Sequence, residues 1–244
     1  MKRITKHTGT SYHGKARKYA KTVDTKPWNA CYERPAVISM LPPLTNAKVL
    51  DAGCASGWYA EYLIHQGAIV TALDFNREFV SLTRARVGGR ARVFRADLAE
   101  PLDFLENSEF DTVVCPLVMH YLKDWLPTFR EFHRILRPQG VLVLSTHHPF
   151  MDWKFFNRRD YFAVELLEDE WEIGTVTFYC RPLTAMSRAL ESGGFFVERL
   201  LEPQPTEDFR RLDPKGYERH IKNPLFLVVR ARKKVRNSVE LAEH

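Results

Sequence analysis

The feature that most constrains this 244-residue chain is a short apolar strand that runs directly into a turn of small residues. The segment reads Lys48-Val-Leu-Asp-Ala-Gly-Cys-Ala-Ser-Gly-Trp58, and a helical pattern follows it. Gly53 and Gly57 have no Cβ, so the backbone of the turn can pass close to a ligand. The segment therefore predicts a strand, a ligand-binding turn and a helix, arranged to hold a nucleotide-like cofactor.

An acidic residue, Asp74, ends the next apolar run and lies 17 positions after Gly57. In a doubly wound sheet, an acid at this place lies beside the binding crevice and can accept hydrogen bonds from ribose hydroxyls. A dinucleotide-binding turn would read Gly-x-Gly-x-x-Gly, whereas this chain has Ala55 and Trp58 at the second and third glycine positions. The pattern therefore argues against NAD.

Apolar runs and helical patterns alternate from residue 47 to about 146, which is typical of a parallel sheet with crossover helices. The first five strands are predicted at 47–51, 68–74, 91–95, 110–115 and 139–146. Helices are predicted at 58–66, 76–86 and 124–136, the last one ended by Arg137-Pro-Gln-Gly140. A strand at 175–179, a helix at 182–192 ended by Gly193-Gly194, and strands at 195–201 and 225–230 complete the pattern.

The segment from 151 to 173 breaks this alternation and is rich in aromatic and charged residues. It follows the fifth strand, at the edge where open α/β sheets bind ligands. Two interpretations stay open, a cap over the substrate and an ordinary edge hairpin that buries its aromatic side chains.

Charge is concentrated at the chain ends rather than spread evenly. Residues 1–26 carry eight Lys and Arg against one acid, and residues 230–244 carry five against two, whereas residues 27–229 are mildly acidic. The basic ends could contact phosphates, but runs of this kind are more often solvated tails. We expect residues 1–26 and 231–244 to flank a single domain at 27–230.

The composition is that of an ordinary globular protein, with 45% hydrophobic residues. No apolar run approaches the roughly 18 residues of a membrane span, and the N-terminus lacks the apolar core of a secretory signal. The four cysteines are scattered without a CxxC pair, so buried free thiols are expected. These features predict a cytoplasmic protein and leave its oligomeric state open.

Several ordered motifs resemble those of one enzyme family. The segment Val49-Leu-Asp-Ala-Gly-Cys-Ala-Ser-Gly57 resembles motif I of the class I S-adenosylmethionine-dependent methyltransferases. Asp74-Phe75 and Arg95-Ala-Asp-Leu98 resemble elements after the second and third strands, and the segments 110–122 and 132–144 resemble the fourth-strand and Leu-Arg-Pro-Gly-Gly motifs. The similarity is closest to the small-molecule branch called methyltransferase type 11, although Ala55 and Gln139 replace two of its glycines.

The resemblance implies a Rossmann-like three-layer α/β sandwich with a mostly parallel seven-stranded sheet, an N-terminal helical cap and an insertion after the fifth strand. It also implies S-adenosylmethionine as cofactor, with S-adenosylhomocysteine as product, and a methyl transfer to an O, N, C or S atom of a small molecule. The residues it implies for cofactor binding are Tyr32, Asp51, Gly53, Cys54, Gly57, Asp74, Phe75, Asp97, Leu98 and Pro116.

In those roles, Asp51 and the backbone around Gly53 and Cys54 would meet the methionine end of the cofactor, and Asp74 the ribose. Phe75 would cover an adenine face, while Asp97 and the Leu98 N–H would meet its edge. Structural alternatives are that Asp97 is a helix cap, Asp51 a turn acid and Tyr32 a packing residue.

A general base would lie past the fourth or fifth strand, where His120 and the pair His147-His148 occur. Because neighbours in a strand point to opposite faces, one histidine of the pair is expected in the cleft, and the predicted catalytic residues are His120 and His147. A metal held by His147, His148 and Asp152 is not favoured. The alternatives to a small-molecule enzyme are a methyltransferase acting on RNA or another macromolecule, and a non-catalytic cofactor-binding protein.

Overall fold

The computed structural model describes Thr8 and residues 12–235. The strands of this part of the chain are β1 (Lys48–Ala52), β2 (Ile69–Asp74), β3 (Ala91–Arg95), β4 (Phe110–Pro116), β5 (Leu136–His147), β6 (Glu165–Trp171), β7 (Gly174–Cys180), β8 (Phe195–Leu201) and β9 (Phe226–Lys233). The helices are α1 (Ala16–Thr22), α2 (Arg34–Met40), α3 (Trp58–His65), α4 (Arg77–Val87), α5 (Leu126–Ile135), α6 (Pro149–Phe155), α7 (Leu183–Ser192), α8 (Glu207–Leu212) and α9 (Pro214–His220). A π-helical turn, Asn29–Glu33, leads into α2, and 3₁₀ turns occupy Gly88–Arg90 and Met119–Tyr121. Within residues 12–235, no helix is both long and apolar enough to cross a membrane.

Seven strands form one sheet in the order β3-β2-β1-β4-β5-β9-β8. The first five pair in parallel, while β9 and β8 are antiparallel to their neighbours. The strand order reverses between β1 and β4, and open α/β sheets bind ligands at the carboxyl ends of the strands at such a point. The predicted α/β class and seven-stranded sheet are confirmed.

Alternate residues of the central strands face two separate cores, because successive side chains of a strand point to opposite faces. Leu50 and Val113 enter a core with α5 and α7, whereas Val49 and Val114 enter a core with α2, α3 and α4. All four side chains are fully buried. The three-layer arrangement follows from strands that are apolar on both faces.

The junction between α5 and β5 differs from its prediction. The helix ends at Ile135 and the strand begins at once with Leu136, so the predicted stop at 137–140 lies inside β5. The register against β4 shifts here: Phe110 pairs with Leu136, but Thr112 pairs with Val141. The Pro-Gln-Gly signal therefore marks a β-bulge rather than a loop.

The segment after β5 forms neither a continuation of the main sheet nor a simple loop. It contains α6 and a hairpin of β6 and β7, and this hairpin is a separate two-stranded sheet. The strand predicted at 175–179 exists as β7, and its partner β6 lies in the 151–173 segment, for which a hairpin was one of the two open interpretations. Ile173, Val176 and Phe178 of the hairpin are buried with Tyr12 and Phe79, so the hairpin packs across the carboxyl edge of the sheet.

Both basic ends differ from the solvated tails that were predicted, as far as the structure describes them. Lys15 directly precedes α1 and Lys18 lies in its first turn, and the Lys18 ammonium donates to the backbone carbonyl of Glu172 at 2.5 Å. At the other end, β9 continues past the predicted boundary at 230 to Lys233. Arg230 and Arg232 pair there with Glu198 of β8, so this part of the basic run lies within the sheet, between β5 and β8.

The α5 core generates a stability prediction. Phe129 is fully buried and packs against Trp125 and Phe195, so Phe129→Ala removes a ring that the surrounding sheet and helices cannot replace. We expect the free energy of unfolding in urea to fall by about 3–5 kcal/mol. Phe104 is 48% exposed and serves as the matched control, with a Phe104→Ala loss within about 1 kcal/mol. Equal losses for the two variants would contradict this placement of the core.

Candidate functional site

A cavity of about 770 Å³ opens at the carboxyl ends of β1, β2, β4 and β5. This volume is within the range of small-molecule and cofactor sites. Of the twelve predicted site residues, nine line the cavity: Gly53, Cys54, Asp74, Phe75, Asp97, Leu98, Pro116, His120 and His147. The other three, Tyr32, Asp51 and Gly57, do not.

The turn after β1 needs its glycines for steric reasons. Gly53 has φ +86°, and a Cβ there would lie 2.3 Å from Cγ2 of Val118. Gly57 has φ +84°, and a Cβ there would meet the backbone of Thr83 at 3.1 Å, so it shapes the turn from behind the cavity. Ala55 also has positive φ, +46°, a conformation that costs an alanine about 1 kcal/mol and a glycine nothing.

The hydrogen bonds of the turn correct one expectation. The N–H groups of Gly53 and Cys54 both donate to the carbonyl of Leu73, at 2.8 and 2.9 Å. They are therefore engaged with β2 and are not donors to a ligand. The N–H of Ala55 donates to Oδ2 of Asp74 at 3.0 Å, so the same strand end fixes the whole turn.

Asp74 lies at the end of β2, where the sequence predicted a ribose-binding acid. Its Oδ1 accepts from the N–H of Asn76 at 2.8 Å, and its Oδ2 accepts from Ala55. Each carboxylate oxygen has further lone pairs to offer. Burial raises the pKa of Asp74 to about 6, and the two backbone N–H groups oppose this rise.

The next two predicted residues line the cavity beyond Asp74. Asp97 follows β3, and its Oδ1 accepts from the N–H of Ala99 at 2.9 Å, so it also caps the turn that follows. Its neighbour Leu98 is buried, and its carbonyl accepts from the Thr128 hydroxyl. Phe75 follows Asp74 directly and lies in the same wall.

Asp51 is fully buried under the turn rather than exposed to the cavity. Neither of its carboxylate oxygens has a hydrogen-bond partner of ordinary geometry. Burial raises the pKa of Asp51 to about 8; the charge of Asp74 adds to the rise and the backbone N–H of Ala60 reduces it. Asp51 can therefore act on a ligand only through the turn above it.

Tyr32 does not face the cavity, which is a second correction. Its ring packs against Phe209 and Phe226, and its hydroxyl accepts from the N–H of Leu225 at 3.2 Å. The residue lies in the π-helical turn, whose wider winding changes which residues share a face. Its neighbour Glu33 lines the cavity instead.

Glu33 is a functional candidate that sequence reasoning missed. Its carboxylate is 99% buried and accepts from the hydroxyls of Tyr59, at 2.9 Å, and Ser145, at 2.5 Å. Burial raises the pKa of Glu33, while these two hydrogen bonds and Arg34 lower it. Arg34 itself donates to backbone carbonyls of Val23 and Asp24 and not to the Glu33 carboxylate.

His120 and His147 lie together in the wall of the cavity, past the ends of β4 and β5, where the sequence placed the candidate bases. Their rings stack with centroids 4.2 Å apart and an interplanar angle of 16°. Burial lowers the pKa of His147 to about 4; burial, His147 and Arg181 lower the pKa of His120. Both imidazoles are therefore neutral near pH 7, and Nε2 of His120 has no partner in the described chain.

His148 points away from this pair. Its Nε2 lies 2.7 Å from Oε1 of Glu202, and its Nδ1 accepts from the N–H of Phe150 at the start of α6. His147, His148 and Asp152 therefore do not converge on one point. Within the described residues, no group of three or more His, Cys, Asp or Glu side chains is arranged to hold a metal ion.

Helices α8 and α9, which the sequence did not predict, form a further part of the cavity wall. Helices α8 and α9 lie between β8 and β9, and Asp213, Arg219 and His220 from this region line the cavity. Trp28 stacks on Phe209 of α8 at 4.6 Å, which fixes these helices against the N-terminal segment. Short polar helices of this kind have too little apolar periodicity to be read from sequence.

Comparisons with known proteins agree with this geometry. Residues 50–144 match the family described as methyltransferase domain, Methyltransf_11. Over 106 residues the chain is 35% identical to a ubiquinone biosynthesis O-methyltransferase of Xanthomonas oryzae pv. oryzae, covering 42% of this chain and 44% of that protein. The chain spans about half the length of the curated relatives it matches.

Solved structures show the same fold over most of the chain. An S-adenosylmethionine-dependent methyltransferase from Mesorhizobium loti is 25% identical with a TM-score of 0.69, covering 86% of this chain and all of that one. A 1,6-didemethyltoxoflavin-N1-methyltransferase from Burkholderia thailandensis, with bound S-adenosylhomocysteine, is 21% identical with a TM-score of 0.60, covering 93% of this chain and 85% of that one.

The fold is that of the class I S-adenosylmethionine-dependent methyltransferases. Residues 50–144 are similar to the type 11 methyltransferase domain of that class. The residues present fit the cofactor of that class, because the acids Asp74 and Asp97 line the same cavity as Phe75 and the Gly53 turn.

The buried carboxyls generate a pH prediction for the protein without ligand. With pKa values of about 8 for Asp51 and about 6 for Asp74, against 3.8 ordinarily, the native state holds more protons than the unfolded state between these values. The free energy of unfolding must then fall as the pH rises. Between about pH 6.5 and 8.5, where unfolded histidines are already largely neutral, Asp51 and Asp152, with a pKa of about 7, are the main buried acids that lose protons.

We therefore expect Asp51→Asn to reduce the slope of unfolding free energy against pH in this range, measured by urea denaturation. Asp152 remains in the variant, so the slope is reduced rather than abolished. Asp103→Asn changes an exposed acid outside the cavity and should keep the wild-type slope. An Asp51→Asn slope equal to that of the wild type would contradict a raised pKa.

Proposed function

We propose that this protein transfers the methyl group of S-adenosylmethionine to a small molecule bound in the same cavity. The observation that carries the proposal is the joining, in one cavity of about 770 Å³, of the turn over Gly53 and the acid Asp74 with the neutral histidine pair. The turn and Asp74 would recognise the cofactor, and the histidine pair would face the acceptor molecule. The branch identified above is consistent with this division.

The cofactor would be held along the ends of β1 to β4. Asp74 would accept from the ribose hydroxyls with the lone pairs that Ala55 and Asn76 leave over. Phe75 and Leu98 would contact the adenine faces, and Asp97 its amino group. Glu33 would accept from the ammonium of the methionine end, a role that replaces the one expected for Tyr32.

When bound, the cofactor supplies an electrophilic methyl group, which is taken by an acceptor lone pair while the electrons of the C–S bond stay on sulfur. The protein's own task is to hold the acceptor in line and to exclude water. His147 lines the cavity and has a low pKa, so it is available as a neutral hydrogen-bond acceptor near pH 7. His120 supports that ring by stacking on it.

Calorimetric titration with S-adenosylmethionine and S-adenosylhomocysteine tests the cofactor half of the proposal. We expect micromolar binding to the wild type, at about −8 kcal/mol, and a loss of at least tenfold in Asp74→Ala. Because Asp74 also fixes the turn through Ala55, Asp74→Asn provides a milder variant that keeps one carbonyl acceptor.

Asp103→Ala is the matched control for that titration, since Asp103 is exposed and outside the cavity. It should bind like the wild type. Wild-type protein that binds neither compound would contradict the proposed function, and full affinity in Asp74→Ala would contradict the assigned place of the ribose.

A macromolecular acceptor is a second candidate, since both chain ends are basic. In the described residues, however, Arg230 and Arg232 are paired with Glu198, and Lys26 is paired with Glu172. These charges are therefore partly neutralised within the fold. RNA affinity that falls steeply with salt would favour this candidate, and turnover of any acceptor would exclude a purely non-catalytic role.

A further inference from the structure

Asp152, in the first turns of α6, lines the acceptor side of the cavity with a carboxylate that has no hydrogen-bond donor in the described chain. The residue is 92% buried. Its nearest charged or titratable partner is Nδ1 of His147, which lies 3.9 Å from its Oδ1, beyond hydrogen-bonding distance. The sequence had drawn attention to Asp152 only as a disfavoured metal ligand.

The surroundings of Asp152 compensate the charge of this carboxylate only in part. His147 is neutral near pH 7, since burial lowers its pKa to about 4. Asp169 raises the pKa of Asp152 further, and Arg158 opposes this; together with burial the result is about 7. Nε of Arg158 donates to the Glu165 carboxylate and Nη2 donates to the carbonyls of Asp160 and Ala163, whereas the buried Nη1 has no hydrogen-bond partner in the described chain.

A buried carboxylate without donors costs free energy that a cationic ligand with N–H groups would recover. Burial in an apolar wall makes that recovery larger than it would be in water. Arg158 acts on Asp152 through its charge but donates no hydrogen bond to it, so a donor position at the Asp152 carboxylate is open to a ligand.

Aromatic rings surround the same place. The ring of Phe178 lies edge-on to His147 with centroids 4.6 Å apart, and Trp171 lies 5.9 Å from His147. Asp169 holds Trp171 in the wall by accepting from its indole N–H at 2.8 Å. Aromatic faces attract cations, most strongly where water is excluded.

The rim above these rings is also acidic. Asp169, Glu170 and Glu172 of the hairpin line the cavity, and the cation nearest to them among the lining residues, Lys26, is bound by Glu172 at 3.4 Å. The field on this side of the cavity therefore favours the entry of positive charge and disfavours anions.

We infer that the acceptor is an amine that enters as an ammonium ion, is recognised by the Asp152 carboxylate and is held against Trp171 and Phe178. This inference rests on the proposed function and adds the substrate class to it. The ammonium gives one proton to Asp152, its freed lone pair forms the new N–C bond as the C–S bond breaks with its electrons on sulfur, and the product leaves as a methylated ammonium.

The test uses three probes of one shape and different charge: phenethylamine, 2-phenylethanol and phenylacetate. Each is titrated by calorimetry into the full-length protein, both alone and saturated with S-adenosylhomocysteine. We expect phenethylamine to bind at least about tenfold more tightly than 2-phenylethanol, and phenylacetate more weakly still. Asp152→Asn should weaken phenethylamine binding by about tenfold or more while leaving S-adenosylhomocysteine affinity unchanged.

Glu168→Gln is the matched control, since Glu168 is an exposed acid of the same hairpin that does not line the cavity. It should bind all three probes as the wild type does. Equal affinity for the amine and the alcohol, no amine binding up to about 10 mM, or an unchanged amine affinity in Asp152→Asn would each overturn the inference.

This experiment distinguishes failure of the amine inference from failure of the proposed methyltransferase function. Loss of S-adenosylhomocysteine affinity in Asp152→Asn would place Asp152 in the cofactor site and refute the amine role alone. Failure of S-adenosylhomocysteine to bind the wild type would refute the proposed function, whatever the probes do.

Discussion

The structure depends on the attachment of the turn after β1 to the end of β2. One carbonyl, that of Leu73, accepts from the N–H groups of Gly53 and Cys54, and one carboxylate, that of Asp74, accepts from the N–H of Ala55. These bonds hold the turn in a conformation with positive φ at Gly53, Ala55 and Gly57. The Val118 side chain packs directly over Gly53, which is why a larger residue does not fit at this position of the turn.

This arrangement gives Asp74 two tasks with opposite requirements. To fix the turn, its carboxylate has to be buried and bonded to backbone N–H groups; to meet a ligand, it has to keep lone pairs toward the cavity. Burial raises its pKa to about 6, and Asp51 below it has a pKa of about 8. Two carboxyls at the switch point of the sheet thus lower the stability of the protein without ligand, which is common at functional sites.

The acceptor side is built from elements outside the shared sheet. The hairpin of β6 and β7, helix α6 and the helices α8 and α9 each contribute to the cavity wall, and each lies in a connection between sheet strands. Variation in such connections changes a site without disturbing the scaffold. The family match at residues 50–144 covers most of the shared sheet, whereas Asp152 and Trp171 lie outside it.

The sequence predicted the first five strands well because buried parallel strands are nearly continuous apolar runs. It placed Asp74, Asp97, His120 and His147 at strand ends, where the structure has them. It could not show that Tyr32 faces away, because the π-helical turn changes the helical phase, nor that the Gly53 and Cys54 N–H groups are occupied, because their acceptor is on another strand. The sequence could not show that the Asp152 carboxylate lacks a hydrogen-bond donor, because the donors that reach a side chain are visible only in three dimensions.

The most direct measurement for the central claim is a crystal structure of the protein grown with S-adenosylhomocysteine. The account predicts density for the ribose at the Asp74 carboxylate, for the adenine beside Asp97, and for the thioether directed toward His147. Ligand density elsewhere on the sheet, or a ribose that does not contact Asp74, would contradict it.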